Sequence, residues 1–332
     1  MKIFGLLMMW LALQSCNGQV EKINGVSFVA SKEAIDQNHV TPVVRVNANY
    51  ASVMPFGFVR DLNSPNVIYD TDRQWFGETK AGAKQYVREL RKQHIKIMLK
   101  PQIWVWRGEF TGYIKMTNKN DWNAFETSYS KFILDYAQLA QELRVELFCI
   151  GTELEAFIDN RPEYWQELIK SIRAVYKGKL TYAANWDEFK RTPFWGDLDF
   201  IGIDAYFPVS DSQTPEVEAC LKGWQTHLPD IKSKQKAFGK PVLFTEFGYR
   251  SVDYTGKAPW KSDRSMNQVN LEAQTNATKA LFETFWAEDW FAGGFIWKWF
   301  HNHERAGGTG NSRFTPQNKQ AEQIIKQYYS LH

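Results

Sequence analysis

Short apolar runs alternate along the 332-residue chain with longer segments in which apolar residues recur at three- and four-residue spacing. The short runs read as strands: GVSFVA (25–30), VVRVNA (43–48), KIMLKPQ (96–102), VELFCIG (145–151), LTYAAN (180–185), FIGIDAY (200–206), PVLFTEF (241–247) and GGFIWKW (293–299). Between most of them lie amphipathic helix candidates at 82–93, 121–143, 162–176, 215–238 and 270–287, and a last one at 316–331 closes the chain. Pro162, Pro215 and Pro316 stand where a first helical turn would begin.

Strands alternating with helices predict parallel β-structure. An open doubly wound sheet is one solution. Eight βα units fit a closed (β/α)8 barrel better, since such barrels typically take ~250 residues. No glycine-rich phosphate fingerprint follows the first strand, which weakens the dinucleotide-binding alternative. The expectation is an α/β chain with a single-domain TIM barrel over residues 25–332 and no second domain.

The N-terminus departs from this pattern. Lys2 precedes IFGLLMMWLAL (3–13), an apolar run too short to span a bilayer as a stable helix. It runs into LQSC (13–16), which resembles a bacterial lipoprotein signal whose cysteine becomes the lipidated N-terminus. Residues 1–15 are then a signal peptide, Cys16 the lipidation site and 16–24 a polar tether. The chain is expected to be exported and held at a bacterial membrane through its lipid alone. An ordinary secretory signal that happens to contain a cysteine is the alternative.

Composition adds less. Lys and Arg total 40 against 37 Asp and Glu, a net charge of +3 that argues against nucleic acid as a partner. The 14 Trp, 14 Tyr and 23 Phe suit a core, an interface or a sugar-stacking surface, without choosing among them. Apart from Cys16, only Cys149 and Cys220 remain, which give neither metal-finger spacing nor a disulfide framework and read as buried thiols.

In a (β/α)8 barrel the reactive groups sit at the C-terminal ends of the strands. Those ends carry Asn47, Asn49 and Tyr50 (second strand), Lys100, Gln102 and Trp104 (third), Thr152 and Glu153 (fourth), Asn185 and Trp186 (fifth), Asp204 and Tyr206 (sixth), Glu246 (seventh), and Trp297 and Trp299 (eighth). Carboxylates on the fourth and seventh strands, among amides and aromatics, are what glycoside hydrolysis requires. One carboxyl must stay protonated to serve the leaving oxygen, and the other must be ionised to attack the anomeric carbon or activate water. Each acid also has a structural reading: Glu153 as the acid that opens a helix, with Glu155 its nearest competitor, and Glu246 as an ion-pair partner of Arg250. His301, His303 and Glu304 form a small cluster on one loop, read as a rim and not a metal site. No cofactor is expected.

The motifs IGTELE (150–155), YAANWDEF (182–189), FWGDLDFIGIDAYFP (194–208), VLFTEFGYRS (242–251) and GGFIWKWF (293–300) resemble glycoside hydrolase family 113, the β-mannanases, within the large retaining clan of barrel glycosidases. The resemblance runs over essentially the whole chain after the leader. It implies Glu153 as general acid/base, Glu246 as nucleophile, Tyr206 as hydrogen-bond donor to the nucleophile, and Trp297 as the floor under the reacting sugar. Asn185, Trp186, Lys100, Gln102, Thr152 and Asn49 are the remaining candidates for binding sugar. Thr152 stands where the clan often has asparagine and offers one shorter hydrogen bond. The implied activity is retaining hydrolysis of β-1,4-mannosidic linkages in mannan, glucomannan or manno-oligosaccharides; separately, a monomer is expected. A same-clan enzyme for β-glucan, galactan or chitosan is one alternative, and a non-catalytic sugar-binding lipoprotein is another.

Overall fold

In the computed structural model, which describes residues 21–262 and 268–332, eight parallel strands close into a barrel. The barrel strands are β1 (Ile23–Phe28), β2 (Tyr50–Val53), β3 (Lys96–Leu99), β4 (Leu147–Thr152), β5 (Lys179–Asn185), β6 (Ile201–Asp204), β7 (Val242–Phe247) and β8 (Phe291–Trp299). They follow one another round the barrel in chain order, and β8 closes against β1 through Ile23↔Gly293 and Gly25↔Phe295. The helices are α1 (Gln37–Arg45), α2 (Lys80–Arg91), α3 (Lys119–Leu143), α4 (Glu155–Asn160), α5 (Pro162–Val175), α6 (Val217–Gln225), α7 (Leu228–Phe238), α8 (Leu271–Phe285) and α9 (Gln320–Leu331). Only a 3-10 turn, Trp195–Asp197, lies between β5 and β6. Every residue of β1 and β7 is buried, as befits strands packed by helices outside and side chains within.

Seven of the eight expected strands coincide with barrel strands to within a few residues. The second does not. Val43 to Arg45 finish α1, and the barrel strand is Tyr50–Val53. The run of valines favours a strand locally, but the helix is started upstream. Asp36 Oδ1 accepts from the amides of Asn38 and His39 at 2.9 and 3.3 Å, and His39 Nδ1 accepts from the Asp36 amide at 3.0 Å. With Val40 and Val43 buried one turn apart, packing overrides β-propensity. Asn47 then ends the turn at φ 62°.

Two further expectations are refined. The 96–102 run divides: β3 stops at Leu99, and Gln102–Val105 pairs with Phe56–Val59, which also pairs with Ile68–Tyr69, in a small sheet formed by the connections after β2 and β3. The 215–238 helix breaks into α6 and α7, with a proline in the first turn of α7. Pro162 opens α5, whereas Pro215 and Pro316 lie ahead of their helices. Cys149 and Cys220 are buried free thiols.

Two apolar layers hold the barrel. Most of the core lies between sheet and helices, including Trp165, Trp195, Trp224, Trp286 and Trp299, all almost fully buried. A smaller cluster of Ile23, Met98, Leu147, Cys149, Ala183, Leu243 and Phe295 comes from six of the eight strands. Phe295 leaves no room beside β1: a Cβ on Gly25 would lie 2.3 Å from its ring. Phe295→Ala should therefore cost about 3–5 kcal/mol in urea unfolding with the helical signal intact. A loss below about 1 kcal/mol would show that the layer collapses into the gap.

Candidate active site

A carboxylate at the end of a buried strand is costly unless donors replace its water. Glu246, near the end of β7, has three. Lys100 Nζ and Gln102 Nε2 donate to Oε1 at 2.6 and 3.0 Å, and the Tyr206 hydroxyl donates to Oε2 at 2.8 Å. The cation against Glu246 is thus Lys100. That ammonium is fully buried and also lies 3.3 Å from Asp204 Oδ1, which accepts from the Thr245 hydroxyl at 2.7 Å. Burial alone would pull the Lys100 pKa down, but the Asp204 and Glu246 carboxylates outweigh it and hold it above its ordinary value. Burial and the charge of Glu246 push Asp204 up to about 7 against the opposing pull of Lys100.

Glu153 follows β4 directly, at φ 49°, a left-handed conformation unfavourable for a residue with a side chain. The turn is tied on both sides. The Glu153 amide donates to Ala183 O at 2.8 Å, and the Leu154 amide donates to the Tyr182 hydroxyl at 2.6 Å. Tyr182 in turn donates to Glu188 Oε1 at 2.7 Å, whose Oε2 accepts from the Asn185 amide at 2.9 Å. Glu188 is itself pushed up to about 8 by burial, against those two hydrogen bonds. The Glu153 pKa stands well above the ordinary carboxylate range, first through burial and then through the charges of Asp204 and Glu246, with Lys100 opposing. Two carboxyl groups of one cluster therefore sit in contrasting surroundings. One is gripped by three donors, and the other has its pKa raised by burial and neighbouring negative charge, which favours its protonated form.

The remaining candidates divide. Glu155 opens α4 and pairs with Arg191, so it is the helix-starting acid and Glu153 is not. The Thr152 hydroxyl is buried without a hydrogen-bond partner among the described residues. Trp297 is half-exposed on β8, next to a cis peptide, with the Lys298 ammonium 5.4 Å from its ring centre. Asn185 Oδ1 accepts from the Trp186 amide at 2.8 Å, and the Trp186 ring stacks on Trp260 at 5.2 Å. His303 Nε2 meets Glu322 Oε1 at 2.7 Å, and His301 packs against His39.

Asn49 lies at the opposite end of the barrel, where its Oδ1 accepts from the Asn24 amide and its Nδ2 donates to Lys22 O, each at 2.8 Å. The mistaken second strand put it on the wrong face. Lys100, fully buried, and Gln102, nearly so, grip Glu246 and are supports, not surfaces for sugar. Sequence reasoning also passed over Glu188, although an acid three residues beyond Asn185 in NWDEF was a usable signal. It missed Lys298 too, an ammonium pulled below its ordinary value by burial and beside Arg313, with Glu246 opposing.

The family model for Glycoside Hydrolase Family 113 matches residues 30–319. Among solved structures, the GH113 β-mannanase AaManA from Alicyclobacillus acidocaldarius, in complex with ManMIm, superposes with a TM-score of 0.81 at 23% identity, covering 93% of this chain and 97% of its own. A complex of a GH113 β-1,4-mannanase superposes at 0.82 with 22% identity, covering 94% and 100%. A fungal β-1,4-galactanase is more distant, at 0.57 and 13% identity, covering 91% and 98%. A search of curated protein sequences finds no match. The barrel, the carboxyls that follow β4 and lie near the end of β7, and the extent of the family match agree: this chain belongs to glycoside hydrolase family 113, and it is a glycoside hydrolase.

Proposed function

We propose that the chain hydrolyses β-1,4-linked mannose chains with retention of anomeric configuration, Glu153 serving as acid/base and Glu246 as nucleophile. The observation that carries this reading is the contrast between the two carboxyls. Three donors converge on Glu246, matching a nucleophile, while burial and like charge raise the pKa of Glu153, matching a general acid. The mannose assignment is supported by the solved family members, which are β-mannanases by name.

In the first step a Glu246 oxygen bonds to the anomeric carbon as the glycosidic C–O bond breaks, and the Glu153 proton passes to the departing oxygen. Glu153, now ionised, takes a proton from water. The water oxygen bonds to the anomeric carbon, the bond to Glu246 breaks, and both carboxyls return to their starting states. Retention calls for a separation of about 5–5.5 Å between the two groups. Tyr206 and Gln102 keep Glu246 aimed, Lys100 balances its charge, and Trp297 forms the apolar floor beneath the reacting ring.

We propose as well that the mature chain is exported and anchored through a lipid on Cys16. That residue and the leader before it lie outside the described residues. Expressed with its leader in a bacterium, the protein should sediment with membranes and Cys16→Ala should release it; a wild type that is already soluble would end this reading.

The catalytic assignment has its own test. On an aryl β-mannoside with a good leaving group, Glu153→Ala should retain activity, and azide should divert its intermediate to the β-mannosyl azide. Glu246→Ala should be nearly inactive on every substrate. NMR of the first-formed product from manno-oligosaccharides should show the β-anomer. An α-product would establish inversion, and faster cleavage of cello- or galacto-oligosaccharides would move the assignment to another sugar.

The pH profile tests the proton on Glu153. A general acid works while protonated, so activity falls as pH rises through its pKa. Asp204 raises that pKa. Asp204→Asn should therefore move the alkaline limb of kcat/KM to lower pH. An unmoved limb would mean that another group supplies the proton.

A further inference from the structure

Among the described residues, the exposed tryptophans and tyrosines are Trp75, Trp104, Trp106, Tyr113, Tyr254 and Trp260. All of them lie in connections that follow the C-terminal ends of strands: after β2 (Trp75), after β3 (Trp104, Trp106, Tyr113) and after β7 (Tyr254, Trp260). None lies on a barrel helix or in a connection at the other end. Random exposure of apolar side chains would be scattered over both ends. Here aromatic surface is gathered at the mouth that holds Glu153 and Glu246.

Trp260 differs from the others in its support. Its ring lies on that of Trp186, with centroids 5.2 Å apart and planes 18° from parallel, and it remains 43% exposed. Trp186 is braced edge-on by Phe207 at 5.8 Å. These supports stand directly beyond the site: Trp186 follows Asn185 at the end of β5, and Phe207 follows Tyr206, which donates to Glu246. The indole is therefore a flat apolar surface over the β5–β6 part of the mouth, with a fixed backing and one face turned outward.

Its place on the barrel fixes which part of a substrate it meets. Glu153 stands just beyond β4 and Glu246 on β7, so they divide the mouth into a short arc, β5 and β6, and a long arc, β8, β1, β2 and β3. Trp297, the floor for the reacting sugar in the reading above, belongs to the long arc. A chain cleaved between the two carboxyls places its leaving portion over the short arc.

We propose that Trp260, backed by Trp186, is the platform for a sugar ring on the leaving-group side of the scissile bond, where the apolar face of a β-linked pyranose in an extended chain stacks on the indole. The inference rests on the acid/base and nucleophile assignment above. It gives the enzyme a preference for polymeric over short substrates and a site for an acceptor sugar in the second step.

The full chain and its Trp260→Ala and Trp260→Tyr variants test this. Hydrolysis of an aryl β-mannobioside, whose leaving group is a small phenol, should be within about twofold of wild type, showing that fold and chemistry are intact. For mannohexaose, kcat/KM of Trp260→Ala should fall about tenfold, equivalent to about 1.4 kcal/mol. Transfer of the mannosyl intermediate to added mannobiose should fall in parallel, and Trp260→Tyr should recover much of both. If the aryl substrate is cleaved normally while Trp260→Ala keeps wild-type mannohexaose turnover and acceptor transfer, the platform is refuted and the catalytic assignment stands. If wild type cleaves neither substrate, the failure belongs to the functional reading.

Discussion

One buried ammonium organises the site. Lys100 projects from the end of β3 between Glu246 on β7 and Asp204 on β6, with no exposure to solvent. Three ionisable groups in so little space are tolerable only because each answers another. Removing one partner from such a set typically costs roughly 3–5 kcal/mol, since the charge left behind has neither water nor counter-ion. The cluster therefore requires β3, β6 and β7 to hold their relative positions, and the closed barrel supplies that rigidity. Tyr206 and Gln102 complete the surroundings of Glu246 and leave it little freedom to turn away.

Glu153 is held by other means. No donor among the described residues reaches its carboxyl, so it is positioned through the backbone. The strained turn at φ 49° persists because the amides on either side are committed, one to β5 and one to Tyr182. Glu188 anchors that tyrosine from deep within the protein. Strain at one residue is thus maintained by a hydrogen-bonded network behind it, and the carboxyl stays free to exchange a proton. Gripping one acid and leaving the other unbonded fits the different roles proposed for the two.

The aromatic richness of the chain resolves into two uses. Among the described residues, five tryptophans are almost fully buried and fill the space between sheet and helices, while others stand exposed at the mouth. Composition could not separate these uses, because an indole that packs and an indole that stacks on a ligand have the same hydrophobicity. Only the place of each residue relative to the barrel axis distinguishes them.

Much of the fold was legible in the chain. Runs such as PVLFTEF and VELFCIG are apolar enough to declare buried strands, and the acids Glu246, within the first, and Glu153, two residues beyond the second, stand out because burying them has a cost. The sequence thus determined the barrel class and singled out Glu153 and Glu246 as candidates. The second strand was misread because valine favours strands locally, whereas the Asp36 cap and the packing of Val40 and Val43 made that segment helical. Asn49 moved to the far end of the barrel with it. Lys100 and Gln102 were found but given the wrong neighbours, since a polar side chain at a strand end can face a ligand or a carboxylate and the chain does not say which. Glu188 acts through the Tyr182 hydroxyl on the Leu154 amide, and Lys298 through its distance from Glu246 and Arg313, relations that appear only when the strands are assembled. Strand identity is a local property, carried by consecutive residues. The protonation, support and partners of a buried charge depend on which strands meet in space, and closure of the barrel alone decides that.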